Sequence, residues 1–205
     1  MALKVYRIPF STNVERVALA AGRKGLAIDW VEIPEDDRAE VVRVSGQELV
    51  PVLDDDGLIL SDSPAILEYL EEQHPEPPLL PADPAARAEI RIFCDWFNRV
   101  WKLAPNLYED ELEKPAPDEG RLDELGRRIT ATLPLFEGLL TGREFLFGDL
   151  SLADVTAFPF LKYAVVWEDG DPYRFHEILR DHLQLEGRHP GIEGWIRRVD
   201  GLPRA

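Results

Sequence analysis

The sequence predicts a protein of two parts, an α/β domain of βαβ-ββα order followed by an all-α helical bundle. Three observations predict this. The N-terminal segment switches between a period of two and a helical period. Residues 74–84 then show no periodicity and hold five of the 17 prolines. Beyond them, apolar residues recur at helical spacing almost throughout. We therefore assign 1–74 to the first domain, 75–84 to a linker and 85–205 to the helical domain.

The opening of the chain is predicted to be a βαβ unit. Leu3–Ile8 alternates with a period of two, which is typical of a strand. From Asn13 the apolar spacing becomes helical, and the pattern ends at Gly22 and Gly25. Ile28–Ile33 alternates again. The two strands are therefore expected to be parallel, with a crossover helix between them.

A hairpin and a helix are predicted to complete the first domain. Two short apolar runs, residues 50–53 and Leu58–Leu60, flank an Asp-Gly turn. Ser63 followed by Pro64 then favours a helix in which Ser63 is the N-cap and Pro64 the first helical residue.

The second domain is predicted to be helical. One long stripe comprises Ile90, Phe93, Cys94, Phe97, Val100, Trp101 and Ala104. A second helix covers residues 122–140 with a kink at Pro134. Further helices are expected to begin near Ser151, Tyr173 and Pro190.

Composition excludes several classes of function. The chain has 205 residues and a formal net charge of −16, which disfavours binding to nucleic acid or to anionic lipid. A single cysteine, Cys94, excludes an internal disulfide and a cysteine-based metal cluster. Met1–Phe10 lacks the apolar block of a signal peptide, and no apolar run approaches the ~20 residues of a membrane span. We expect a cytoplasmic protein without a metal, a nucleic-acid partner or a membrane.

Four segments in order resemble the glutathione transferases, and the resemblance covers essentially the whole chain. They are Pro9-Phe10-Ser11 with residues 16–19, Val50-Pro51-Val52-Leu53, Asp62-Ser63-Pro64-Ala65-Ile66 with Tyr69-Leu70, and Gly148 with Ser151-Leu152-Ala153-Asp154. The resemblance implies a thioredoxin-like first domain, glutathione as co-substrate and a homodimer. Ser151 and Asp154 have capping-box spacing, which indicates a structural role.

Ser11 and Asn13 are the candidate catalytic residues that the resemblance implies. A hydroxyl beside a helix N-terminus can donate to a thiolate and lower the thiol pKa from about 8.5. Glutathione is nucleophilic only as the thiolate, so Ser11 would act as a stabilising donor. On the residues alone, a serine that caps the helix is the favoured interpretation, and the resemblance reverses that preference.

The resemblance implies that Val50, Pro51, Asp62 and Ser63 bind glutathione. A cis Val50–Pro51 bond would leave the Val50 amide and carbonyl to pair with an extended peptide, although an ordinary trans edge proline fits the same sequence. Ser63 would hold the glutamyl carboxylate at a helix N-terminus, and Asp62 the ammonium. Ser63 could also simply cap its helix.

Leu49 departs from the pattern of the family. The residue before the Val-Pro pair is often Lys, Gln or Arg there and reaches the glycyl carboxylate. Because Leu49 cannot do so, we expect the contact to come from Gln47 or elsewhere, or to be weak.

Five aromatic residues are candidates for an apolar pocket that takes the second substrate: Phe10, Trp101, Tyr108, Tyr163 and Trp167. Aromatic residues at helical spacing also commonly form a core.

The expected activity is conjugation of the glutathione thiolate to an electrophilic small molecule. One alternative is glutathione-dependent disulfide or peroxide reduction of the nu-class type, with Asn13 sharing the thiolate. Another is a binding protein of the same fold without turnover. Intact Ser11, Pro51, Asp62 and Ser63 argue against the second alternative, and Leu49 leaves it open.

Overall fold

The chain folds into two compact units. A computed structural model describes residues 3–205, so Met1 and Ala2, which the sequence assigns to the first domain, lie outside the described residues. One unit comprises the chain up to Leu80 together with Leu202–Ala205, and the other comprises Pro81–Gly201. Within residues 3–205, no helix has the length and apolar character needed to cross a membrane.

The first unit contains a four-stranded sheet and three helices. Its elements are β1 Leu3–Arg7, α1 Thr12–Lys24, β2 Ile28–Glu32, α2 Ala39–Ser45, β3 Val52–Asp55, β4 Leu58–Ser61 and α3 Ser63–Gln73. The sequence does not predict α2. That helix has seven residues with three valines, of which only Val41 is buried, so it carries no helical stripe.

The sheet order is β2-β1-β3-β4. β1 and β2 are parallel, as the βαβ pattern predicts, and β3 is antiparallel to both β1 and β4. In this register Tyr6 pairs with Val52, and Val52 pairs with Ser61. The end of β1, the start of β3 and the end of β4 therefore meet at one edge of the sheet.

The second unit is helical. It contains α4 Pro84–Trp96, a π-helical turn Phe97–Trp101, α5 Leu103–Leu112, α6 Glu119–Thr130, α7 Leu133–Leu139, α8 Leu152–Leu161, a 3₁₀ turn Lys162–Ala164, α9 Arg174–His182 and α10 Pro190–Asp200. The π turn, with a Lys102 N to Phe97 O bond of 3.0 Å, shifts the helical register, and Val100 is 52% exposed instead of buried.

The predicted single helix with a kink at Pro134 is wrong. The turn residues Ala131 and Thr132 interrupt the helical hydrogen-bond pattern, with the Thr132 amide donating to the Ile129 carbonyl at 3.2 Å, and Pro134 stands in the first turn of the new helix α7. A proline lacks the amide that a helix interior needs, whereas the first turn does not require it.

The predicted capping box is confirmed at the start of α8. Asp154 is fully buried and accepts hydrogen bonds from the amides of Ser151 and Leu146, both at 2.9 Å, and from Trp195 Nε1 at 2.8 Å. Burial raises the pKa of Asp154, and these hydrogen bonds oppose the rise. Asp154 therefore joins α8 to α10 as a structural residue.

The last residues of the chain pack on α1, whereas the sequence assigns them to the helical domain. The Ala205 amide donates to the Ala18 carbonyl at 3.0 Å, and Arg204 pairs with Glu15 at 2.9 Å. The backbone of Pro203 approaches Gly22 so closely that a Cβ there would lie 2.2 Å from its carbonyl oxygen. Gly22 is thus required for this contact rather than for ending the helix.

Candidate active site

Helix α1 begins directly after a tight turn at the sheet edge. Ser11 is the N-cap, and its Oγ accepts a hydrogen bond from the Val14 amide at 3.4 Å. Phe10 has φ 62°, a left-handed conformation that few non-glycine residues adopt. Both side chains are half-buried. Because capping uses a lone pair of the hydroxyl, its hydrogen can still be donated to a ligand.

Helix α3 begins one residue earlier than the sequence predicts. Asp62, with φ 79°, is the N-cap, and Ser63 is the first helical residue. Within residues 3–205, no capping hydrogen bond reaches the Asp62 side chain. The prediction that Ser63 caps the helix is therefore wrong. The first amides of α3 are still available to an anion, because the opening turn of a helix lacks internal acceptors.

A buried arginine joins the two helix starts. Arg16 is 1% exposed, and its Nη1 lies 3.2 Å from both Asn13 Oδ1 and Ser63 Oγ. Ser63 Oγ in turn donates to Asn13 Oδ1 at 3.4 Å. Asn13, a predicted catalytic residue, therefore holds α1 against α3. Sequence reasoning missed Arg16, because an arginine within an amphipathic helix is usually assigned to the solvent face.

The segment before β3 completes this edge of the sheet. The Val50–Pro51 peptide bond is cis, as predicted. Val50 is half-buried, and among residues 3–205 its amide and carbonyl have no hydrogen-bond partner. Val52 pairs with Tyr6 in β1, so Val50, two residues earlier, lies beside the end of β1. The turn that follows β1 is closed by the Ser11 amide, which donates to the Ile8 carbonyl at 3.3 Å. The predicted Ser11, Val50 and Ser63 thus converge on one edge.

Two left-handed residues flank this edge, which supports its assignment as a site. The described non-glycine residues with positive φ are Phe10, Asp56, Asp62 and Glu186. Phe10 precedes the cap of α1, and Asp62 is itself the cap of α3. Strained backbone conformations persist where the surrounding structure imposes them, and they concentrate at functional sites.

Trp101 and Tyr163, two of the predicted pocket residues, are buried in the second unit. Trp101 is 3% exposed and stacks on Phe97 at 4.4 Å between ring centroids. Tyr163 is 2% exposed and stacks on His176, also at 4.4 Å. Burial lowers the pKa of His176, although the adjacent Asp171 opposes this. The structure places both aromatic rings in the hydrophobic core of the helical unit.

Tyr108 and Trp167 are half-buried in the same unit. The Tyr108 ring meets His182 edge-on at 4.8 Å, and the guanidinium of Arg180 lies 4.5 Å from the Trp167 ring centroid.

The N-termini of α1 and α3 lie at this edge of the sheet. Residues 3–205 hold no group of three or more His, Cys, Asp or Glu side chains placed to bind a metal ion. Helix N-termini suit an anionic group, and the amide and carbonyl of Val50 suit an extended peptide.

Two family models match the chain. Residues 5–78 match the N-terminal domain of glutathione S-transferases, and residues 119–198 match their C-terminal domain. A maleylpyruvate isomerase from Ralstonia sp is 36% identical over 189 residues, covering 83% of this chain and 87% of the relative. The FtsZ-localized protein A of Caulobacter vibrioides is 32% identical over 201 residues, covering 90% and 86%.

Solved structures agree with this assignment. A glutathione S-transferase from Methylobacterium radiotolerans, in complex with glutathione sulfonate, superposes with a TM-score of 0.77 at 25% identity, covering 100% of this chain and 96% of that one. The first unit has the thioredoxin-like arrangement and the second the helical arrangement of that fold. Both domains are thus present in their usual order, and the chain belongs to the glutathione S-transferase family.

Proposed function

We propose that this protein binds glutathione at the sheet edge formed by Ser11, Val50 and Ser63, and conjugates it through its thiolate to an electrophilic small molecule. The observation that carries the proposal is the convergence of two helix N-termini on one edge, joined through Asn13 and Arg16. The proposed setting is a cytoplasmic, reducing compartment, in which glutathione stays a thiol.

Each part of the ligand has a matching group. The α3 amides, which follow Asp62, would bind the glutamyl carboxylate, and the Asp62 carboxylate would pair with the ammonium. The amide and carbonyl of Val50 would pair with the cysteinyl backbone as an added strand does. At the start of α1, the Ser11 hydroxyl would donate a hydrogen bond to the thiolate sulfur. The thiolate then attacks an electrophilic carbon and forms the new S–C bond while the bond to the leaving group breaks. Halide departs from a halogenated carbon, whereas in an epoxide the C–O bond opens and its oxygen takes a proton from water.

Isomerisation is a second candidate, favoured by the 36% identity to a maleylpyruvate isomerase. The thiolate would add to a carbon of a conjugated cis double bond, which leaves a single bond free to rotate. Expulsion of the thiolate would then restore the double bond in the trans form. The same Ser11 contact serves both reactions, because both require the thiolate.

Two alternatives predict different results. Disulfide or peroxide reduction would depend on Asn13. The other alternative is a binding protein of the same fold without turnover. Intact Ser11, Val50 and Ser63 support catalysis over binding alone.

Calorimetry with glutathione, followed by substrate assays, tests the proposal. The assays use halogenated aromatics, epoxides, a cis-conjugated diacid, disulfides and hydroperoxides. We expect binding, together with turnover of a halogenated, epoxide or cis-conjugated substrate. Turnover of disulfides alone would favour the reductase. Binding without any turnover would favour the non-catalytic alternative, and absence of binding would contradict the proposal.

The protein is expected to form a two-fold dimer through α4. Ile92 on this helix is 70% exposed, and Asp95 pairs with Arg99 at 2.6 Å on the surface. A self-complementary face of apolar and oppositely charged residues suits a two-fold contact. Sedimentation should show a dimer at micromolar concentration, and Ile92→Glu should shift it to monomer. Leu135→Glu, at an exposed leucine on α7, is the control; a wild-type monomer would contradict this expectation.

A further inference from the structure

The segment that precedes Val50 determines what a bound thiol peptide meets at its C-terminal end. If the glutamyl group lies at the start of α3 and the cysteine pairs with Val50, the remaining residue must leave on the side away from α3. Pro51 and β3 (Val52–Asp55) run into the sheet, and the loop of residues 45–49 leads directly into Val50, so we take this loop as the part of the chain next to that end. Leu49, next to Val50, is 77% exposed.

The polar groups of this loop bind one another. Gln47 Nε2 donates to Ser45 Oγ at 3.1 Å and to the Leu49 carbonyl at 2.8 Å, and Gln47 Oε1 accepts from the Leu49 amide at 2.5 Å. The Ser45 hydroxyl donates to the Val41 carbonyl at 2.9 Å. A side-chain amide has two hydrogens, and both are used here. Gln47 therefore stabilises the loop instead of reaching a ligand carboxylate.

The charges around the loop do not favour a carboxylate either. Glu48 is exposed beside Leu49, and the whole chain carries a net charge of −16. Two arginines lie in the segment before the loop: Arg38, the N-cap of α2, and Arg43 within α2. Arg43 Nη2 lies 3.7 Å from Glu40 Oε1, which already provides a counter-charge. A carboxylate beside an apolar side chain gains no direct partner there.

We propose that Leu49 is a specificity-determining residue, which makes recognition of the thiol independent of its C-terminal carboxylate. The co-substrate class is then γ-glutamylcysteinyl thiols in which this carboxylate is free, absent, or masked as an ester or amide. The inference rests on the proposed function, since it takes Ser11, Val50 and Ser63 as the groups that hold the rest of the ligand.

Calorimetry with three probes tests the inference: glutathione, its glycyl monoethyl ester and γ-glutamylcysteine. The wild-type protein should bind all three with dissociation constants within about 2-fold, because an unrecognised carboxylate contributes little. Leu49→Lys should tighten binding of glutathione by about 2- to 5-fold, as an exposed ion pair does, and leave the ester and γ-glutamylcysteine unchanged.

Leu58→Lys is the matched control. Leu58 is 46% exposed in the same unit and pairs with Asp55 at the opposite end of the sheet. The Leu58→Lys substitution adds the same charge without reaching the site, so it should change the affinity for glutathione by a negligible amount. Both positions are exposed, and circular dichroism checks that the variants fold.

Three results would overturn the inference. The first is a wild-type protein that prefers glutathione over its ester by about 10-fold or more and loses this preference in Arg38→Gln or Arg43→Gln. That result would show that an arginine at or next to α2 binds the carboxylate. Equal effects of Leu49→Lys on glutathione and its ester would place the carboxylate elsewhere. If none of the three probes binds, the proposed function itself is wrong and this inference fails with it.

Discussion

Ser11→Ala is expected to lower kcat/KM about 100-fold at neutral pH. The loss of one donor that stabilises a developing or bound anion typically costs about 2.7 kcal/mol. With the donor removed, the pKa of the bound thiol should rise, so less thiolate is present at pH 7. Affinity for glutathione should change far less, because Val50, Asp62 and Ser63 bind the peptide portion.

A comparison of substitutions separates the two roles of Ser11. The structure shows Ser11 capping α1, so Ser11→Ala should also destabilise the protein by about 1 kcal/mol. Glycine is better tolerated than alanine at an N-cap, so Ser11→Gly should cost only about a few tenths of a kcal/mol of stability. It lacks the hydroxyl, as Ser11→Ala does. Both variants should therefore show the same raised thiol pKa while differing in stability. Ser11→Thr keeps a hydroxyl and should retain most of the activity.

The ultraviolet absorbance of the bound thiolate, titrated against pH, gives the thiol pKa in each variant. Asn13→Ala is the contrasting variant, because Asn13 holds Arg16 and Ser63. It should weaken glutathione binding with little change in the thiol pKa. An unshifted pKa in both Ser11→Ala and Ser11→Gly would remove Ser11 from the mechanism. Loss of disulfide reduction in Asn13→Ala, with Ser11→Ala tolerated, would favour the reductase.

Glu71→Ala is expected to destabilise the first unit by about 3–5 kcal/mol, since it leaves a buried lysine without its counter-charge. Lys24 Nζ lies 2.6 Å from Glu71 Oε2, and the two side chains are 0% and 7% exposed. Glu71 also accepts from the amides of Leu79 and Leu80, at 3.1 Å and 2.9 Å. The pair therefore joins α1, α3 and the segment after α3.

Urea denaturation followed by circular dichroism measures this loss of free energy of unfolding. Glu72→Ala removes an exposed carboxylate from the next position of α3 and should change stability by no more than about 0.5 kcal/mol. The double variant Lys24→Met with Glu71→Gln removes both charges and should recover part of the loss. A loss below about 1 kcal/mol in Glu71→Ala would contradict the assigned role.

The sequence alone was sufficient for the order of the main elements and for the family. The βαβ opening, the hairpin and the capping box of Ser151 and Asp154 are each encoded by residues close together in the chain, whereas the cis Val50–Pro51 bond was expected from the family resemblance. Periodicity, a turn dipeptide and a cap are local signals, so they can be recognised in the sequence without knowledge of the fold. The sequence did not predict the short helix α2, because its single buried residue, Val41, gives no periodic local signal.

Only the tertiary structure decided how the candidate site is assembled. Ser-Pro at the start of α3 is typical of an N-cap, but the left-handed Asp62 starts the helix one residue earlier and turns Ser63 toward Arg16. Arg16 and Ser63 are 47 residues apart, and the strand register brings them together. A buried guanidinium is stable only when such distant partners accept its hydrogen bonds. Local pattern cannot specify those partners, because sheet topology sets which chain segments are neighbours.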